Sequence, residues 1–244
     1  MIFAHGYGLD QTMWKYMTPV FEKTHQVILF DHVGAGSSDQ LSFSKIKYNS
    51  LSGYADDLLE ICQELNLDRP ILVAHSVSSM IGILAAIQKP DYFDKLILIG
   101  PSARYINKDD YYGGFSEEDI EGLLNSIESN YQAWATTIAP ALMKNPERPE
   151  LSVELSKSFN KINPDIAKHF ARTTFLSDNR SFLPQVKVPT LILQASDDLV
   201  APVTVGKFIC DNIPDSQLVQ LQATGHFPSL SAPEETILAI KKFL

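Results

Sequence analysis

Cysteine is almost absent from this chain. Its 244 residues hold two, Cys62 and Cys210, far apart and in no metal-like spacing. A disulfide framework is therefore excluded, and both read as buried thiols in a reducing compartment. Long apolar runs are missing too. No stretch approaches the length of a transmembrane helix, and the opening Met1–Gly8 segment lacks the basic region and apolar core of a signal peptide. Basic residues are few, 20 against 29 acidic, for a net charge of −9. A nucleic-acid binder would carry a basic face, so that class is excluded. Such acidity implies solubility and weak repulsion of anionic partners. No H-x-x-x-H or H-E-x-x-H pattern occurs, and no G-x-G-x-x-G. No metal and no other cofactor is expected. These absences leave a cytoplasmic globular protein, with no membrane and no nucleic acid among its partners.

The apolar fraction of 45% and the charged fraction of 20% are ordinary for such a protein, and the length allows a substantial core. Short apolar runs alternate with helical patterns. The runs are Ile2–Ala4, Val27–Phe30, Ile71–Ala74, Leu96–Ile99, Thr190–Leu193 and Leu218–Leu221. Most are continuous rather than alternating, as in strands covered on both faces. Leu51–Leu65 and Val77–Ile87 carry apolar residues at helical spacing. The alternation predicts an α/β fold, a mostly parallel sheet with helices on both faces. Ala103–Leu183 contains no strand-like run. It predicts helices over Glu117–Ile127, Tyr131–Leu142, Leu151–Phe159 and Asp165–Phe175, punctuated by Pro140, Pro146, Pro149 and Pro164. Residues 1–102 and 184–244 thus form one core, and 103–183 an inserted helical cap above the carboxyl ends of the strands, where open α/β sheets bind ligands.

Four loops carry candidate chemistry. Val73-Ala74-His75-Ser76-Val77-Ser78-Ser79 follows a buried strand and opens a helix. That context suits a nucleophile elbow, whose sharp turn lifts a serine out of the sheet. The general pattern G-x-S-x-G has Ala74 and Ser78 in its glycine positions here, both small enough for a cramped turn. The alternative is an ordinary helix N-cap serine. His5-Gly6-Tyr7-Gly8 follows the first strand. An oxyanion hole needs two preorganised N–H groups, here Val77 after the nucleophile and Tyr7 from this loop. A plain glycine turn is the alternative. Asp197-Asp198 follows the Leu191 strand; Asp198, four residues before Pro202, is the candidate to orient a histidine, with Asp197 as competitor and a surface turn as the alternative. His226 lies after the last strand, behind Gly225, which suits a general base. His75 is expected to point away from the site, and His25, His32 and His169 are dispersed. The order Ser76, Asp198, His226, each at a strand end, is the α/β-hydrolase order.

These residues resemble the α/β-hydrolase superfamily. Phe30–Asp39, F-D-x-x-G-x-G-x-S-D, is similar to the loop after the second strand of many members. The narrower elbow His75-Ser76-Val77-Ser78 resembles the RsbQ-like group, which includes a bacterial energy-stress regulator and the plant karrikin and strigolactone receptors. Tyr111–Phe115, Trp134–Thr136, Phe175–Asp178 and Leu193–Gln194 agree, so that the likeness spans nearly the whole chain. It implies a Ser76–His226–Asp198 triad under a V-shaped helical cap. It also implies an enclosed apolar pocket with Trp134 and Phe175 among its substrate-binding residues; Phe227, next to His226, is a third candidate, and core packing is the alternative for each. A bacterial member would process a small hydrophobic molecule for a partner phosphatase with a PAS domain. Two departures stand out. Ala74 could tighten the elbow and slow turnover. The chain also begins at the strand before His5, where members have about two earlier strands, so that either its start is placed late or the sheet lacks an edge hairpin.

Three functions follow as expectations. The first is a carboxylic-ester-type serine hydrolase acting on a small, largely apolar ester or lactone, in a stress-signalling role. The second is a very slow or non-catalytic ligand-binding module working through the phosphatase. The third is a metabolic C–C bond hydrolase of the same fold.

Overall fold

The apolar runs pair into one sheet. A computed structural model describes residues 1–244. Its strands are β1 (Ile2–Ala4), β2 (Ile28–Leu29), β3 (Ile71–His75), β4 (Lys95–Ile99), β5 (Thr190–Asp197) and β6 (Ser216–Thr224). Their order is β2-β1-β3-β4-β5-β6, and every pairing is parallel. β1, β3 and β4 are buried nearly throughout, which is why they read as continuous apolar runs rather than as alternation. The edge strands depart from their expected bounds. β2 shrinks to two half-buried residues, and β6 extends both ways through polar positions such as Gln217 and Gln222. The outer rim of β6 is partly covered: the Glu235 carboxylate accepts the backbone N–H groups of Gln222 and Ala223 at 2.6 and 3.1 Å.

The chain runs from β1 to β2 on one side, then returns to β3 on the other. That reversal is a topological switch point, and it opens a crevice at the strand ends. The register makes the ends coincide: Ala4 pairs with Ala74, and His75 with Ile99. The loops after β1, β3 and β4 therefore emerge side by side.

Helices α1 (Thr18–Phe21), α2 (Leu51–Glu64) and α3 (Val77–Gln88) lie in the first half of the chain. Ten of the twelve α3 residues are buried, from Val77 to Ala86, so this helix is apolar all round rather than amphipathic. Four helices follow between β4 and β5: α4 (Glu117–Ser129), α5 (Tyr131–Met143), α6 (Pro149–Phe159) and α7 (Pro164–Phe175). Local chemistry sets their starts. Ser116 and Asp119 form a reciprocal capping box on α4; Asn130 caps α5, and Asn163 with Pro164 opens α7. Pro140 does not end α5, which runs on to Met143. The two ends of this helical insert meet. Asn179 N–H donates to the Ala103 carbonyl at 2.8 Å, and Arg104 pairs with Asp178 at 2.7 Å. Arg180, and then Arg104, hold the Asp178 carboxyl down to about 2. The chain closes with α8 (Val203–Asn212), α9 (Pro228–Ser231) and α10 (Pro233–Phe243). One continuous cluster of 67 buried apolar residues joins sheet, flanking helices and insert, so the insert has no core of its own. No helix is long and apolar enough to cross a membrane.

Candidate active site

Ser76 sits at the turn between β3 and α3 with φ +56° and ψ −123°, a conformation that side chains rarely adopt. Its N–H donates to the Ile99 carbonyl at 2.8 Å, which extends the sheet ladder by one bond and holds the turn against β4. The Ser76 side chain makes no capping bond to α3. Instead, Ser76 Oγ lies 2.8 Å from His226 Nε2. An ordinary N-cap serine does not fit this arrangement.

His226 Nδ1 lies 2.7 Å from Asp198 Oδ2. The other carboxylate oxygen of Asp198 accepts the N–H groups of Val200 and Ala201 at 2.8 and 3.2 Å. Both oxygens are thus committed, and Asp198 is buried. Its competitor Asp197 is exposed and pairs with Lys144. The two neighbours part at the end of β5: Asp197 is its last residue and is exposed, and Asp198, the next along an extended backbone, faces the other way and is buried.

The His226 loop is held from several sides. His226 N–H donates to the Leu142 carbonyl of α5 at 2.8 Å, and the His226 carbonyl accepts His75 Nε2–H at 2.8 Å. Gly225 has φ +82°, and a β-carbon on it would lie 2.1 Å from the Met143 carbonyl oxygen. Only glycine lets the loop approach α5 so closely.

On the β1 side, a β-carbon on Gly6 would sit 2.4 Å from His75 Nδ1 and 3.2 Å from Ser76 Cβ, so the Gly6–Tyr7 segment lies directly against the elbow. Neither the Tyr7 nor the Val77 amide N–H finds an acceptor within the fold. Val77 is the first residue of α3, where the helix leaves its N–H unused. The Tyr7 hydroxyl donates to the Ala167 carbonyl at 3.1 Å, and burial pushes it well above the usual phenol range.

These groups open into a cavity of about 100 Å³ with 16 lining residues, 12 of them hydrophobic. Trp134, Phe175 and Phe227 all line it, as do Tyr7, Ser76 and His226. Trp134 stacks on Phe159 at 5.7 Å, and Phe175 meets Tyr105 edge-on at 4.9 Å. All four insert helices contribute walls: Leu123 from α4, Ile138 from α5, Phe159 from α6 and Thr174 from α7. Val77 is buried beneath the cavity rather than among its lining side chains.

Two expectations about histidine need correction. His75 does not turn away from the site. It lines the cavity, and its ring lies 4.9 Å from that of His226, because its place at the end of β3 aims it at the His226 loop. His32 is not isolated either, its ring lying 4.6 Å from that of His5. Tyr105, Thr174 and Phe159 also reach the cavity, though nothing in their local sequence marks them. No group of three or more His, Cys, Asp or Glu side chains stands close enough to hold a metal ion.

Comparison with known proteins agrees with this architecture. The chain is 42% identical over 238 residues to the karrikin insensitive 2 receptor IA of Petunia hybrida, which covers 97% of this chain and 87% of that protein. It is 39% identical over 245 residues to strigolactone esterase D14 of Arabidopsis thaliana, 100% of this chain and 91% of that protein. The solved structure of olei00960, a hydrolase from Oleispira antarctica, matches with a TM-score of 0.96 at 42% identity, over 99% of this chain and 89% of that one. Residues 1–233 match the family model described as alpha/beta hydrolase fold. The chain belongs to the α/β-hydrolase fold family.

Proposed function

We propose that this protein is a serine hydrolase that cleaves a small, largely apolar ester or lactone. The observation that carries this proposal is the unbroken chain of contacts from Ser76 Oγ to His226 Nε2 at 2.8 Å and from His226 Nδ1 to Asp198 Oδ2 at 2.7 Å, set at the floor of an apolar cavity. In the proposed reaction, Ser76 Oγ attacks the substrate carbonyl carbon, and its proton passes to His226 Nε2. Asp198 holds the ring with Nδ1–H toward itself and stabilises the imidazolium. The N–H groups of Tyr7 and Val77 receive the oxyanion. Collapse breaks the bond to the leaving oxygen, which takes the proton from His226. Water, activated by the same histidine, then releases the acyl group from Ser76. Residues 103–183 serve as a cap over the cavity, and Trp134, Phe175 and Phe227 contact the substrate.

A signalling role of the RsbQ-like kind, in the cytoplasm and through a PAS-domain phosphatase, is the finer form of this proposal. Its support is the likeness to proteins named as receptors, 42% identical to this chain in one case. The test is release of nitrophenol from a short acyl ester. Ser76→Ala lowers the rate by about 10⁶-fold, the typical loss for a triad nucleophile. Equal activity in the variant would end the assignment. For the signalling role, turnover far below about 10 s⁻¹ with specific capture of the phosphatase is expected, and fast turnover without capture would count against it.

A further inference from the structure

Beneath the elbow, a second serine joins a buried polar ring. Ser78 is fully buried, and His5 and His32 nearly so. Ser78 Oγ lies 2.5 Å from the His5 carbonyl oxygen and 2.7 Å from His32 Nε2. A carbonyl only accepts, so the single hydroxyl proton goes to His5, and Oγ accepts the Nε2–H of His32. The His32 backbone N–H donates to His5 Nε2 at 2.9 Å. The His5 proton must then sit on Nδ1, which meets the Gly6 carbonyl at 2.9 Å. His32 Nδ1 is left without a partner, as a neutral ring with its proton on Nε2 allows. Burial holds both rings below the usual imidazole range, which keeps this proton arrangement in place at neutral pH.

The ring spans three loops. Ser78 follows Val77 in the first turn of α3, His5 stands two residues before Tyr7, and His32 lies just after β2. One hydroxyl therefore ties the segment carrying one unused amide to the turn carrying the other. A glycine at 78 would leave the His5 carbonyl and the His32 Nε2–H unpaired in the interior.

We propose that Ser78, held by His32, is a positioning residue that sets the spacing between the Tyr7 and Val77 amides for oxyanion binding. This rests on the hydrolase function proposed above. Ser78→Ala, Ser78→Gly, Ser78→Thr and His32→Phe would be compared with the unmodified protein. The measurements are kcat and KM on nitrophenyl acetate, affinity for a trifluoromethyl ketone that forms a tetrahedral adduct, pH dependence of kcat/KM, and thermal midpoint. In Ser78→Ala, Ser78→Gly and His32→Phe, kcat is expected to fall about tenfold to a hundredfold, the scale of a small misplacement of catalytic groups, with KM little changed. Ketone affinity falls by the same factor, and the pH midpoint does not move. Ser78→Thr, which keeps the hydroxyl, restores most of the rate.

A brace of purely structural value would lower the thermal midpoint and leave kcat and ketone affinity intact, and that outcome overturns the proposal. So does a Ser78→Gly protein with unmodified kcat. If Ser78→Ala fails to fold, His32→Phe carries the comparison. Activity that Ser76→Ala abolishes but Ser78→Ala leaves untouched refutes this proposal alone. An unmodified protein that neither hydrolyses the ester nor binds the ketone refutes the hydrolase function, and this role with it.

Discussion

His75 Nε2–H donates to the main-chain carbonyl of His226 at 2.8 Å, so the residue before Ser76 holds the residue that faces Ser76 Oγ. The bond also fixes the His75 proton on Nε2 and leaves Nδ1 bare against Gly6. Replacing His75 with phenylalanine leaves a buried carbonyl unpaired, a loss of about 1–3 kcal/mol in stability. Turnover should fall with it, because His226 loses one of the ties that aim its ring. Denaturant unfolding and ester hydrolysis on the same variant check both.

The two adjacent aspartates offer a sharper contrast. Asp198 touches His226 Nδ1, whereas Asp197 faces solvent and Lys144. Asp198→Asn should cut kcat by about 10⁴-fold, since an amide can favour the wrong histidine tautomer. Asp197→Asn should leave the rate near its original value. Large losses in both variants would show that the tip of β5, rather than one carboxylate, is what matters.

The apolar walls of the cavity bear on acyl chain length in the proposed reaction. Ile138 forms one wall from α5 and is only partly buried. Ile138→Ala should raise kcat/KM for hexanoyl over acetyl nitrophenyl esters by about tenfold, the scale of one or two methylenes in an apolar pocket. An unchanged chain-length profile would place the acyl group elsewhere.

Acid should destabilise this fold through its buried histidines. His5, His32 and His75 all have pKa values lowered by burial, below the usual 6.5. As pH falls through about 6.5, the unfolded chain takes up protons that the folded state refuses. Stability is therefore complete above that pH and is lost below it, with a limiting slope of about 1.4 kcal/mol per pH unit for each histidine. Thermal midpoints from pH 8 to pH 5 should be flat and then descend, and His75→Phe should shallow the descent by one residue's share.

Much of this protein is legible in its residues alone. Apolar runs such as Ile71–Ala74 and Leu96–Ile99 announce central strands, because a strand buried on both faces has no polar side to show. The expected starts at Glu117 and Asp165 fall within one residue of the observed ones, where Ser116 and Asn163 cap the helices through hydrogen bonds that reach only two or three residues. The order of Ser76, Asp198 and His226 at three strand ends is equally a property of the sequence. Tertiary structure alone decided the rest. It separated Asp198 from Asp197, brought His75 onto the His226 loop and closed the Ser78–His32–His5 ring, in which Ser78 lies 46 residues from His32. Sequence periodicity carries only the local half of a contact. The other half comes from strand register, here Ala4 beside Ala74 and His75 beside Ile99, which no single segment encodes.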